Sequence, residues 1–142
     1  MKLKLLIGLA VLFISPLAVQ AVSVDLNTVT LRSSKATVTA DGIDQTIIRV
    51  SVKTPNYLAA SGAMVRLTSS RGTLDEITPA EATTNGFGSA EFLVRSLRNG
   101  TTTIMVEVEG QKTSKQVGVS FVNGLDVGLA PGSLIKIPSD ND

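Results

Sequence analysis

The chain is 142 residues long, carries 13 lysines and arginines against 12 aspartates and glutamates, and holds no histidine, cysteine or tryptophan. A charge balance this close to zero argues against a nucleic-acid binder or a polybasic membrane-surface protein. The missing residue types exclude disulfides, a thiol nucleophile, a serine–histidine triad and the favoured ligands of zinc and copper.

In chain order, a leader comes first. Lys2 and Lys4 make a short positive region, residues 5–14 are apolar, Ser15-Pro16 breaks the run, and Val19-Gln20-Ala21 suits a cleavage site. This layout predicts a signal peptide over residues 1–21, with an apolar run too short to span a bilayer comfortably. No cysteine follows for lipid attachment, and no later stretch is apolar for long enough to cross a membrane. One domain, residues 22–123, and a tail, residues 124–142, make up the rest. A domain of that length buries enough surface to hold without a covalent staple.

Period-two alternation runs through the domain. Residues 22–26 and 29–31 open it as extended chain, and residues 36–40 continue to a turn at Asp41-Gly42. Ile48, Val50 and Val52 alternate with Arg49, Ser51 and Lys53 until Pro55-Asn56 ends the strand. Ala63, Val65 and Leu67 alternate with Met64 and Arg66, and a turn follows around Ser70-Arg71-Gly72. Residues 73–84 read as a looser strand or loop, because Pro79 is barred from a central ladder. After the Asn85-Gly86 turn, Ala90, Phe92 and Val94 alternate with Glu91, Leu93 and Arg95. Past Asn99-Gly100, Ile104, Val106 and Val108 alternate with Met105, Glu107 and Glu109. Gly110 turns the chain into a last strand carrying Val117, Val119 and Phe121.

About seven strands, each closed by a turn signal, describe an antiparallel sandwich or barrel. Alternation on nearly every strand favours two packed sheets, each with one wet face. Ile48, Val50, Val52, Val65, Leu67, Phe92, Val94, Ile104, Val106, Val108, Val117, Val119 and Phe121 are the predicted core. On the wet faces, Arg66 is expected near Glu107 or Glu109, and Glu91 near Arg49 or Lys53.

Four segments stand in order across roughly residues 34–122: Ala40-Asp41-Gly42 before a Thr/Ile/Val strand, residues 63–74, Thr83-Thr84-Asn85-Gly86-Phe87-Gly88-Ser89-Ala90, and Ser96-Leu97-Arg98-Asn99-Gly100-Thr101. In this the chain resembles the bacterial immunoglobulin-like domains of group 1 that are repeated in invasin and intimin. The resemblance implies an all-β fold, an immunoglobulin-like Greek-key β-sandwich of about seven antiparallel strands. It also implies a role in cell-surface adhesion or as a spacer. Where that family usually carries Asp-x-x-Gly between its second and third strands, this chain has Thr54-Pro55-Asn56-Tyr57-Leu58.

No catalytic, metal or cofactor-binding residue is assigned. Glu107 and Glu109, two apart on a strand, would share a face as glycosidase carboxylates do, but an exposed strand is also where such charges belong. Asp41 and Asp44 fall short of the six or more oxygens calcium takes, and turn chemistry accounts for them. Asn99-Gly100-Thr101 fits a glycosylation sequon and equally a turn.

In the tail, Leu125, Val127 and Leu129 alternate with Asp126 and Gly128, a turn follows at Pro131-Gly132, and Leu134, Ile135 and Ile137 form a second apolar run. Such a segment either covers its own domain or adds a strand to a partner's sheet. Together with Tyr57, these six residues are the candidate partner contacts. The expectation is an exported, non-enzymatic module, periplasmic or secreted from a Gram-negative-type bacterium, without cofactor. It would bind another protein or a cell-surface component, and no nucleic acid. The alternative is a carbohydrate-binding accessory domain, with Tyr57 and Phe87 as the loop aromatics.

Overall fold

The alternating segments become nine strands in a computed structural model that describes residues 22–123. They are β1 (Asp25–Ser33), β2 (Thr37–Thr39), β3 (Thr46–Lys53), β4 (Met64–Ser69), β5 (Asp75–Thr78), β6 (Glu81–Thr83), β7 (Ser89–Ser96), β8 (Gly100–Val108) and β9 (Gln111–Val122). One sheet has the order β1-β3-β7-β5 and the other β2-β9-β8-β4-β6. The expected leader, residues 1–21, and the tail, residues 124–142, lie outside the described residues.

Nine strands reduce to seven passes, because two passes change sheet midway. β1 pairs with β3, and its continuation β2 pairs with β9 in the opposite sheet. The crossover between them is fastened by buried Thr46, whose hydroxyl accepts from the Lys35 N–H and donates to the Lys35 carbonyl, both at 3.0 Å. Since β2 keeps the direction of β1, its three-residue ladder with β9 is parallel, the one departure from the antiparallel expectation among the described strands. The other switch lies at Pro79: β5 pairs with β7, and β6 pairs with β4. A proline without an N–H fits there, between two short edge strands, as the looser reading of residues 73–84 anticipates.

Both inner faces close on one core. Of the predicted core residues, all but Val117 are buried, with Phe92, Phe121, Ile48 and Ile104 the largest. Val117 is only half-buried, because β2 flanks β9 no lower than Ser120. Val29, Val38, Ala40, Ala60, Ala63 and Ala90 complete the set. Outside, Arg49 lies opposite Glu91 in register and pairs with it at 2.7 Å, as expected. Arg66 also faces Glu107 in register, yet its guanidinium pairs with Glu81 on β6, a strand the sequence does not clearly delimit.

Seven is odd, so the described chain enters and leaves at opposite poles. The start of β1 and the β3–β4, β6–β7 and β8–β9 connections form the lower pole. The β2–β3, β4–β5 and β7–β8 connections and the end of β9 form the upper one. Phe92 sits mid-way between them and is fully buried. Phe92→Ala is expected to lower the unfolding free energy by about 3–5 kcal/mol in a urea titration. A variant that unfolds with the parent would place Phe92 on the wrong face.

Candidate functional site

At the lower pole two loops are sewn together along their backbones. The Val52 N–H donates to the Gly88 carbonyl at 2.8 Å, and the Ala60 N–H to the Val52 carbonyl at 3.1 Å. Buried Thr84 ties residues 60–63 to the second loop: its hydroxyl donates to the Ala60 carbonyl at 2.5 Å and accepts from the Ala63 N–H at 2.9 Å. Gly88 is required by this closeness. At φ +74°, a Cβ there would lie 2.5 Å from the Val52 carbonyl oxygen.

On this frame stand three large apolar side chains. Tyr57 is 72% exposed, Leu58 66% and Phe87 87%. The Thr54 carbonyl accepts the Tyr57 N–H, and the Leu58 carbonyl accepts the Thr54 N–H, both at 2.8 Å, so residues 54–58 form a closed tip. Within it Tyr57 has φ +64°, a left-handed conformation that costs a residue with a Cβ roughly 1–2 kcal/mol. Asn85 fixes the neighbouring turn, its side-chain oxygen accepting from the Phe87 and Ser89 N–H groups at 2.9 and 3.1 Å. Of the candidate contact residues, Tyr57 is therefore an exposed tip. Leu125, Val127, Leu129, Leu134, Ile135 and Ile137 lie outside the described residues.

The acidic side chains singled out in the sequence have structural work. β8 ends at Val108, so Glu109 sits in the turn at φ +51° and does not share a strand face with Glu107 as expected from the alternation. Its carboxylate accepts the Met64 N–H at 2.6 Å. Asp41 accepts the Ile43 and Asp44 N–H groups at 2.8 and 2.7 Å. Asp44 is held down at about 2, first by the Lys35 ammonium and then by the Thr39 N–H. Both carboxylates thus fasten the turn. Among the described residues no group of three or more acidic side chains gathers as a metal site would require.

The upper pole holds what the sequence reading missed. Asp75 is buried at the head of β5, and Arg71 grips it through Nε and Nη2. The Ser69 hydroxyl donates to the same carboxylate at 2.5 Å and lies 2.7 Å from the hydroxyl of fully buried Thr102. Arg71 also donates to the Asn99 carbonyl at 2.8 Å and lies 5.3 Å from the centre of the Phe121 ring. A usable signal was present: Asp75 and Ile77 share the inward parity of β5, and Arg71 precedes Asp75 by four residues. Above this pair opens a cleft of about 620 Å³, lined by Gly42, Leu74, Glu76, Arg95, Leu97 and Arg98 among others.

Residues 28–122 match the family described as bacterial Ig-like domain (group 1). In fold the chain is similar to the D00–D0 domain of intimin, with TM-score 0.58 and 22% identity over 77% of this chain and 52% of that one. It is similar also to invasin, a bacterial integrin-binding protein, with TM-score 0.62 and 23% identity over 70% of this chain and 20% of that one. A third is the C-terminal fragment of intimin in complex with the intimin-binding domain of the translocated intimin receptor, with TM-score 0.57 and 20% identity over 70% and 33%. The chain spans about half the length of the first and less of the others. Likeness at these identities is likeness of fold. No curated protein matches the chain.

Asp75 generates a pH prediction. Burial pushes its carboxyl up, but hydrogen bonds from Arg71, Ser69 and Thr102 outweigh that and leave it below the ordinary value. A depressed folded value gives stability that is present above the unfolded value of about 3.9 and is lost as pH falls through the folded one. Unfolding free energy should therefore fall with acid below about pH 4, and Asp75→Asn should show a shallower fall from a lower starting stability. Equal acid slopes in parent and variant would refute the assignment.

Proposed function

Because the chain belongs to the bacterial Ig-like domain (group 1) family, we propose that it is an exported, non-catalytic module that binds another protein or a cell-surface component through its lower tip. The observation that carries this reading is Tyr57, held in a left-handed conformation and yet presented to solvent at the pole that also exposes Leu58 and Phe87. A strained backbone that serves no packing is a mark of function, and rigid exposed aromatics are the usual anchors of protein interfaces. Intimin in complex with a receptor domain and invasin as an integrin-binding protein support a protein partner by analogy. The sequence pattern of residues 1–21 supports export, to the periplasm or beyond a Gram-negative-type envelope.

Exposed rings also suit the rival reading, a sugar-binding platform, and one experiment separates the two. Beads coated with the protein are scored for adhesion to cell surfaces that are untreated, protease-treated or glycosidase-treated. Tyr57→Gly should melt no lower than the parent, since glycine relieves the left-handed strain, while adhesion falls at least about tenfold, the loss of one anchor residue. Phe87→Ser should act likewise, and protease should abolish adhesion. Loss with glycosidase alone would favour the carbohydrate reading. Undiminished adhesion by both variants would remove the tip from the function.

A further inference from the structure

We propose that residues 125–129 of the same chain dock in the cleft at the upper pole, as an intramolecular cover independent of the lower tip. The cleft offers the chemistry of a short apolar strand with one acidic group. Leu74 and Leu97, each 52% exposed, supply the apolar walls. Leu97 reaches across to Gly42, where a Cβ would meet its Cδ2 at 2.8 Å, so the β2–β3 loop and the β7–β8 connection close on each other there. Of the two arginines on the rim, Arg95 pairs with Glu76, whereas no ion pair to Arg98 occurs among the described residues. Leu125-Asp126-Val127-Gly128-Leu129 matches this lining: aliphatic side chains at alternate positions, and one carboxylate for Arg98.

Continuity of the chain argues for this occupant over a foreign one. β9 ends at Val122, whose carbonyl accepts the Ala40 N–H at 2.9 Å, and Gly42 on the cleft wall is two residues further along that loop. Asn123 then adopts φ +59°, turning the chain at this point. Residues 124–129 extended would reach roughly 20 Å, more than the two-residue step from Ala40 to Gly42 demands. A simple hairpin back along β9 is not open to them, because Thr37–Thr39 of β2 already pair with Ser120, Phe121 and Val122. A tethered segment also needs no free partner, since its effective concentration is that of its own linker.

Amide hydrogen exchange on the full chain tests this. Gly42, Leu74 and Leu97 should exchange about tenfold or more faster in the Val127→Asp/Leu129→Asp variant than in the parent, at rates unchanged by protein dilution. Arg98→Glu and Asp126→Arg should each speed exchange, and the two together should restore it. Identical exchange in parent and Val127→Asp/Leu129→Asp would overturn the proposal. So would protection that fades on dilution, which would place the segment in a second copy, or failure of the charge-swapped pair to recover.

Discussion

A buried carboxylate gripped by a guanidinium joins the two sheets at the upper pole, and the placement of everything around that pole depends on it. Asp75 and Ser96 belong to one sheet, Ser69, Thr102 and Phe121 to the other, and Arg71 touches both. Burying such a pair yields little net stability compared with an apolar replacement, because desolvation offsets most of the attraction. What it supplies is position. Leu74, Asp75, Ser96 and Leu97, the cleft walls, are all within a residue or two of this network. In a chain without cysteine, a fixed joint between sheets at one end has to come from side chains of this kind.

Fixing one pole leaves the other free for display. The lower loops are closed by backbone bonds and by Thr84, so the exposed side chains of Tyr57, Leu58 and Phe87 stand on a frame that does not need them for packing. The contrast with the upper pole is physical: there apolar side chains rim a concavity, here they project from a convex tip. A concavity suits a segment of chain, and a tip suits a pocket or flat surface on a larger body. The tip and the cleft therefore occupy opposite ends of the sandwich, and a change at one leaves the other intact.

Most of the fold was legible because strand periodicity is a direct consequence of the pleat. Ile48, Val50 and Val52, or Ile104, Val106 and Val108, announce a buried face without reference to the rest of the chain. Sheet switching was not legible, since β2 and β6 are three residues each, too short for a period to show. That is also why alternation points Arg66 to Glu107 or Glu109: the partner that wins, Glu81, lies on one of these fragments. Glu109 escaped because alternation carries no mark of where a strand stops. The Tyr57 tip was named from its place in a loop, but its exposure and left-handed backbone are tertiary facts. The Arg71–Asp75 pair is marked only faintly, by the shared parity of Asp75 and Ile77, because a turn and a loose strand broken by Pro79 show too few alternations to assign a buried face.

A double-mutant cycle over Arg71 and Asp75, read by urea unfolding at neutral pH, tests the joint between the sheets most directly. Arg71→Met and Asp75→Asn should each cost about 3–5 kcal/mol, because each leaves a partner buried and uncompensated. The double variant should cost less than the sum of the two by about 2–3 kcal/mol. Single losses below about 1 kcal/mol that add within about 0.5 kcal/mol would contradict the coupling and reduce the pair to an exposed ion pair of no structural consequence.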